Sequence, residues 1–144
     1  MLRDDRPVES AVYVREKPLW LRLFNAQAPL ALWGTVYLPP GLRESLAGRP
    51  ELDDILDHEA IHVARQHAHG MAAWHAGYVF SRRFRWREEQ AAYHSSLGRL
   101  RVRGEPMSEA ARDDLAARLS GRMYLFMTSK RDARAFIDRC LGGA

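Results

Sequence analysis

Apolar and polar positions recur with two different periods along this chain, and the change of period marks its elements. Residues 11 to 16, Ala-Val-Tyr-Val-Arg-Glu, are rich in β-branched side chains and predict a short strand. From Pro18 to Phe24 the pairs Leu19/Leu23 and Trp20/Phe24 fall at i, i+4, which predicts a short helix opened by Pro18. Leu30 to Leu38 predicts one strand centred on Thr35, Val36 and Tyr37, halted by Pro39-Pro40-Gly41.

Beyond Gly48 the period is helical. Proline at the first position, Glu51, Asp53 and Asp54 near the positive end of the dipole, and a stop at Gly70 predict a helix from Pro50 to Gly70. Projected at about 100° per residue, Leu52, Ile55, Leu56 and Val63 form its apolar stripe, with Glu59 in the middle and His62 on the edge. A carboxylate facing a core needs a partner or a purpose, because burying it alone is costly.

Met71 to Phe80 predicts a short helix burying Trp74 and Tyr78, and Arg87 to about Arg103 another. Ser108 is the natural cap of a helix to Ser120. Thr128 or Ser129 opens a last one over Lys130 to Leu141, stopped by Gly142-Gly143. Between these two, Met123 to Met127 is a continuous apolar run, expected to cover the back of the central helices; a cleft wall or a dimer patch is the alternative.

Together these elements predict one α+β domain spanning residues 1–144, helix-rich, with a small sheet beside the helix that begins at Pro50. A length of 144 with 47% hydrophobic residues suits one core, and no repeat or long linker divides it. The first residues, Met-Leu-Arg-Asp-Asp-Arg-Pro, are charged with no apolar segment behind them, and no run approaches the roughly eighteen apolar residues of a membrane span, so a soluble cytoplasmic protein is expected. Cys140 is the only cysteine, which excludes an internal disulfide and fits a reducing compartment. It reads as a small buried hydrophobe of the last helix, the alternative being an inhibitory metal ligand.

The candidate chemistry lies in one stretch. All six histidines fall between His58 and His94, and His58-Glu59-Ala60-Ile61-His62 spells H-E-x-x-H. Residues i and i+4 share a helix face one turn apart, so His58 and His62 can aim ring nitrogens at one zinc ion. Glu59, offset by one residue, is placed to take a proton from water activated by the metal. A catalytic zinc wants a third protein ligand. His69 returns to the same face but lies about 10.5 Å further along the helix, too far to share one ion. The metzincin extension fails as well, with Arg65 in place of its glycine and Ala68 in place of its third histidine. On the next helix Glu89 is in line with Ala92, Tyr93, Leu97 and Leu100, the stripe that must face the core. Glu88 is in line with Ala91, Ser95 and Arg99, so Glu89 is the expected third ligand and Glu88 its alternative. Tyr78, Tyr93, His94 and Tyr124 are all candidates to stabilise an oxyanion.

This pattern resembles a known family. H-E-x-x-H at His58 to His62, followed by Glu89-x-x-Ala92, resembles the gluzincin metallopeptidases, whose third zinc ligand is a glutamate on a second helix. Leu56 to Gln66, then Gly70, Trp74, Tyr78 and Arg87 to Tyr93, are similar to short single-domain zinc peptidases of bacteria and phages. The similarity covers roughly residues 33 to 95. It implies a zincin-like fold, a zinc cofactor, a peptide or protein substrate, and a strand before the H-E-x-x-H helix that forms the cleft rim and pairs with an extended substrate. Pro39 and Pro40 suit such an edge strand. Tyr93 stands where many gluzincins carry an aspartate that orients a ligand histidine.

Charge opens a rival reading. The net charge is +4 and the isoelectric point about 9.6. Lysine occurs only at Lys17 and Lys130, however, so arginine supplies nearly all of the basic residues. The one dense cluster is Arg82-Arg83-Phe84-Arg85-Trp86-Arg87, which offers a nucleic acid charge and stacking surfaces. The simpler reading packs Phe84 and Trp86 inward and leaves the arginines solvated. A zinc-binding regulatory domain without proteolytic activity is the other alternative to a peptidase.

Overall fold

The computed structural model describes residues 12–142, so the charged N-terminal stretch and Gly143 lie outside the described residues. Three strands and seven α-helices follow in the order β1 (Tyr13–Glu16), α1 (Leu19–Phe24), β2 (Leu30–Leu32), β3 (Thr35–Leu38), α2 (Leu42–Ser45), α3 (Pro50–His69), α4 (Met71–Phe80), α5 (Arg82–Val102), α6 (Glu109–Ser120) and α7 (Lys130–Leu141). The fold is α+β and helix-rich, as expected. No helix among the described residues is long and apolar enough to cross a membrane.

The segment Leu30 to Leu38 is a hairpin, not one strand. Trp33 and Gly34 both have positive φ, 51° and 75°, the backbone of a two-residue turn that reverses the chain between β2 and β3. The turn is held from outside: Gln66 Oε1 accepts the Gly34 N–H at 2.9 Å, and His75 Nε2 accepts the Trp33 N–H at 3.2 Å. The φ of Gly34 favours glycine, and a Cβ there would stand 3.1 Å from Met71 Cε, which would have to give way slightly.

The sheet order is β1-β3-β2, with β3 parallel to β1 and antiparallel to β2. β3 is therefore central, and the expectation that it forms an edge is corrected: Pro39 comes just after its last residue, where no further ladder bond is needed. The edge beside α3 is β2. Ala31, Val36, Leu38 and Val63 are buried between sheet and helix, with Leu52, Ile55 and Leu56 packed against them.

α5 starts five residues before Arg87 because Ser81 caps it, its Oγ accepting the Phe84 N–H at 3.2 Å. The second core joins α5 to α6 and α7 through Leu97, Leu115, Leu119, Phe136 and Ile137. Cys140 is buried in this cluster, away from the histidines of α3 that face Glu89. The run Met123 to Met127 covers the central helices only in part, with Met127 and Tyr124 packed in the core that includes Leu97 of α5. Only Met127 is buried, while Met123, Leu125 and Phe126 are at least half exposed. A single 3-10 turn at Arg122–Tyr124, followed by positive φ at Leu125 and Phe126, turns successive side chains in different directions.

Candidate metal centre and cleft

α3 and α5 bring His58, His62 and Glu89 together. One ligand atom from each lies within 4.8 Å of the others, and all three side chains are largely buried. Glu89 Oε2 is 3.5 Å from His58 Nε2, and Glu89 Oε1 is 3.3 Å from His62 Nε2. A tetrahedral ion with bonds of about 2.0–2.1 Å separates its ligand atoms by roughly 3.3–3.4 Å. Each histidine stands near that distance from a different Glu89 oxygen, so a small closure of the cluster would bring the three onto one ion. Glu89 Oε2 is buried and makes no hydrogen bond among the described residues, as expected of a donor atom reserved for an ion.

Neighbouring groups orient these donors. Ser96 gives its hydroxyl proton to the Ala92 carbonyl, so its oxygen is free to accept from His58 Nδ1, 3.3 Å away. That leaves His58 Nε2 facing Glu89. Tyr93, at the position of the gluzincin aspartate, instead sets its ring edge-on to His58 with centroids 4.5 Å apart. His62 Nδ1 has no hydrogen-bond partner among the described residues. The Tyr78 hydroxyl donates to Glu89 Oε1, and its ring stacks on Trp74 at 4.8 Å. Tyr78 is thus more than core.

Glu88 is the residue that sequence reasoning undervalued. It is completely buried, its carboxylate gripped by Arg65 from α3, with Nη2–Oε1 at 2.8 Å, and by the Trp74 indole N–H from α4 at 2.9 Å. Burial disfavours its charge, yet the Arg65 and Trp74 hydrogen bonds outweigh this and hold the carboxyl below its usual range. One glutamate clamps the helices and the next faces the histidines. The available signal was Arg65, a cation one turn beyond Ile61 on the ligand helix, which needs an acceptor on whatever packs there.

Electrostatics sets apart the two carboxylates near the histidines. Burial opposes ionisation of Glu89, but His62 and His58 overcome it and keep Glu89 an anion far below the usual carboxylate range. His62 is correspondingly raised by Glu89, against the effect of its own burial. Glu59 behaves in the opposite way: desolvation raises its pKa, only partly countered by the two histidines and by the Ala31 N–H that faces it. The environment thus pushes two neighbouring carboxyls in opposite directions, Glu89 towards the anion and Glu59 towards the neutral acid.

The expected rim is corrected here. Ala31 presents its backbone to the outer edge of β2, but that edge packs on α3, where Gln66 Nε2 donates to the Ala31 carbonyl at 3.1 Å and Glu59 faces the Ala31 N–H. These groups are not free to pair with an extended chain. The turn Gln27-Ala28-Pro29 lines, together with Tyr93, Met123 and Tyr124, a cleft of about 560 Å³ whose lining also includes His58 and Glu59. The turn is built on Lys17, which is 1% exposed and donates its Nζ to the carbonyls of Asn25, at 2.6 Å, and Ala28. Asn25 Oδ1 accepts the Gln27 and Ala28 N–H groups. In the sequence Lys17 stands out only as one of two lysines among many arginines, with nothing local to show its burial.

The other candidates disperse. Tyr93 and Tyr124 share a hydrogen bond of 3.1 Å between hydroxyls in the cleft wall. Burial pushes the Tyr93 hydroxyl up to about 12 and raises Tyr124 as well, so both remain proton donors. His94 lies elsewhere, its Nδ1 3.7 Å from Cys140 Sγ. In the basic cluster Arg85 is buried, donating to the carbonyls of Tyr78, Val79 and Tyr124, which corrects the expectation that every arginine there is solvated. Arg82, Arg83 and Arg87 are exposed, and Arg87 covers the Phe84 ring. Set beside known protein families, curated proteins and solved structures, the chain matches none of them, and what this centre can do rests on its own geometry.

Proposed function

We propose that this chain is a gluzincin-type zinc metallopeptidase. The observation that carries the reading is the convergence of His58 Nε2, His62 Nε2 and a Glu89 oxygen at metal-ligand spacing, beside a cleft into which Glu59 also opens. His58, His62 and Glu89 would hold the ion, with Ser96 and Tyr78 orienting two of them. Zinc bound there supplies Lewis acidity, which acidifies water and polarises a carbonyl.

The chain's own residues supply the remainder. Glu59, with its pKa raised by desolvation, is a better base than an exposed carboxylate. It takes a proton from water in the cleft as the water oxygen bonds to the peptide carbonyl carbon, and hands that proton to the departing amine as the C–N bond breaks. Tyr124 and Tyr93, protonated and in the same wall, are the donors available to the carbonyl oxygen as it gains charge. The turn at Gln27 to Pro29 also lines the cleft and would contact what enters.

The test pairs metal content with activity. Elemental analysis of protein purified without chelator is expected to find close to one zinc per chain, reduced in Glu89→Ala. Glu59→Gln is expected to keep the zinc while peptide cleavage falls by about 10²–10⁴-fold, the usual contribution of a general base. Zinc without cleavage of any peptide in the unaltered protein would favour a zinc-binding regulatory domain instead. Cleavage that survives in Glu59→Gln would refute the role given to Glu59.

A further inference from the structure

The polar groups of the cleft wall are almost all engaged within the protein. Asp54 is bound by both Arg103 nitrogens, at 2.6 and 2.8 Å, and lies 3.7 Å from Arg99. His58 faces Ser96, Tyr93 faces Tyr124, and Glu59 faces the Ala31 N–H. Arg118 is different. It lines the same cleft, its side chain is exposed, and its guanidinium has no hydrogen-bond or ion-pair partner among the described residues.

α6 explains how it comes to be there. Leu115, Ala116 and Leu119 are buried and form the face that packs on α7, which leaves position 118 on the flank beside Met123 and Tyr124. The cleft is therefore lined by Asp54, Glu59 and His58 and also by a cation with planar paired donors. A guanidinium matches a carboxylate through two parallel hydrogen bonds.

We infer that Arg118 is the specificity residue of the cleft and selects ligands that carry a carboxylate close to the bond presented to Glu59. The carboxylate is either the C-terminal group of a peptide or an aspartate or glutamate side chain. Recognition needs only the cleft; its consequence, cleavage beside an acidic group, rests on the peptidase reading. An arginine in the last turn of a helix also suits the helix dipole, and the experiment separates that role from this one.

The experiment measures binding apart from turnover. N-acetylated fluorescent octapeptides, with Glu or Gln at a central position and with a free or amidated C-terminus, are titrated against Glu59→Gln protein with and without zinc. Fluorescence anisotropy reads the affinity. A preference of about tenfold for the carboxylate partner of a pair is expected, the size of one charge-assisted contact in an exposed setting. It should vanish in Arg118→Gln and turn towards a Lys-containing peptide in Arg118→Glu. The Glu/Gln pair and the free/amidated pair show which source of carboxylate is read.

Equal or absent binding of the paired peptides overturns the inference, as does an Arg118→Gln protein that loses thermal stability but keeps the preference. Cleavage by the unaltered zinc-loaded protein is scored separately. Cleavage without acidic preference overturns the role of Arg118 and leaves the peptidase reading intact. Selective binding without cleavage does the reverse.

Discussion

Replacing Arg65 by methionine would leave the Glu88 carboxylate completely buried with the Trp74 indole N–H as its main remaining donor, and His69 Nε2 at 4.0 Å. Removing one partner of a buried ion pair costs about 3–5 kcal/mol, because the other charge stays desolvated. Arg65 is itself one-third exposed, so its own desolvation is modest and the lower end, about 3 kcal/mol, is expected. For a chain of this size that corresponds to a fall in Tm of roughly 10 °C. Glu88→Gln should cost less, about 1 kcal/mol, since the amide still accepts from Trp74 and leaves only a partly solvated arginine behind. The double variant should be more stable than Arg65→Met alone. Urea denaturation of all four proteins at pH 7 and pH 5 provides the assay. The pH dependence has a definite sign. Glu88 in the unaltered protein is held below its ordinary value, so its contribution is full above the unfolded carboxyl range and is lost only as pH falls below it. Without Arg65 the same carboxyl is raised by burial, so its penalty shrinks as acid protonates it. The gap between the two proteins should narrow from pH 7 to pH 5. An Arg65→Met protein within 1 kcal/mol of the unaltered one at pH 7, or a double variant no better than the single, would refute the clamp.

Two further outcomes follow from neighbouring contacts. Ser96→Ala removes the acceptor facing His58 Nδ1, and zinc affinity, measured by chelator competition, should fall about 10–100-fold with the fold retained. Asp54 is held below the usual carboxylate range chiefly by its Arg103 hydrogen bonds, so the stability difference between the unaltered protein and Asp54→Asn, about 1 kcal/mol, should be constant from pH 7 to about 5 and disappear as pH falls through the lowered folded value; a difference unchanged at pH 2.5 would refute the pairing.

Much of the helical frame was written in local chemistry. Pro50, the acids after it and Gly70 bound α3, while Ser108 and Ser129 cap α6 and α7, each accepting a backbone N–H three residues on. The His58/His62 spacing is a property of one helix, and the apolar stripe containing Glu89 is a property of another. Both could therefore be read before any packing was known. The strand assignment at Leu30 to Leu38 failed because apolar residues on both sides outweighed a single glycine. The reversal at Trp33 is stabilised by Gln66 and His75, 32 and 42 residues away.

What tertiary structure alone decided is what those side chains meet. A helical stripe defines which way Glu88 and Glu89 point but not what lies opposite, and only the packing of α3 and α4 against α5 gave one an arginine and an indole and the other two imidazoles. The same holds for Lys17, whose burial depends on the Asn25 to Ala28 turn folding over it, and for Arg118, placed in the cleft by the packing of α6 on α7. Local sequence sets periodicity and caps because those depend on residues within a turn of one another. Ion pairs, cleft walls and the surroundings of a base depend on residues brought together across the chain, and their energies are settled by burial that no single segment possesses.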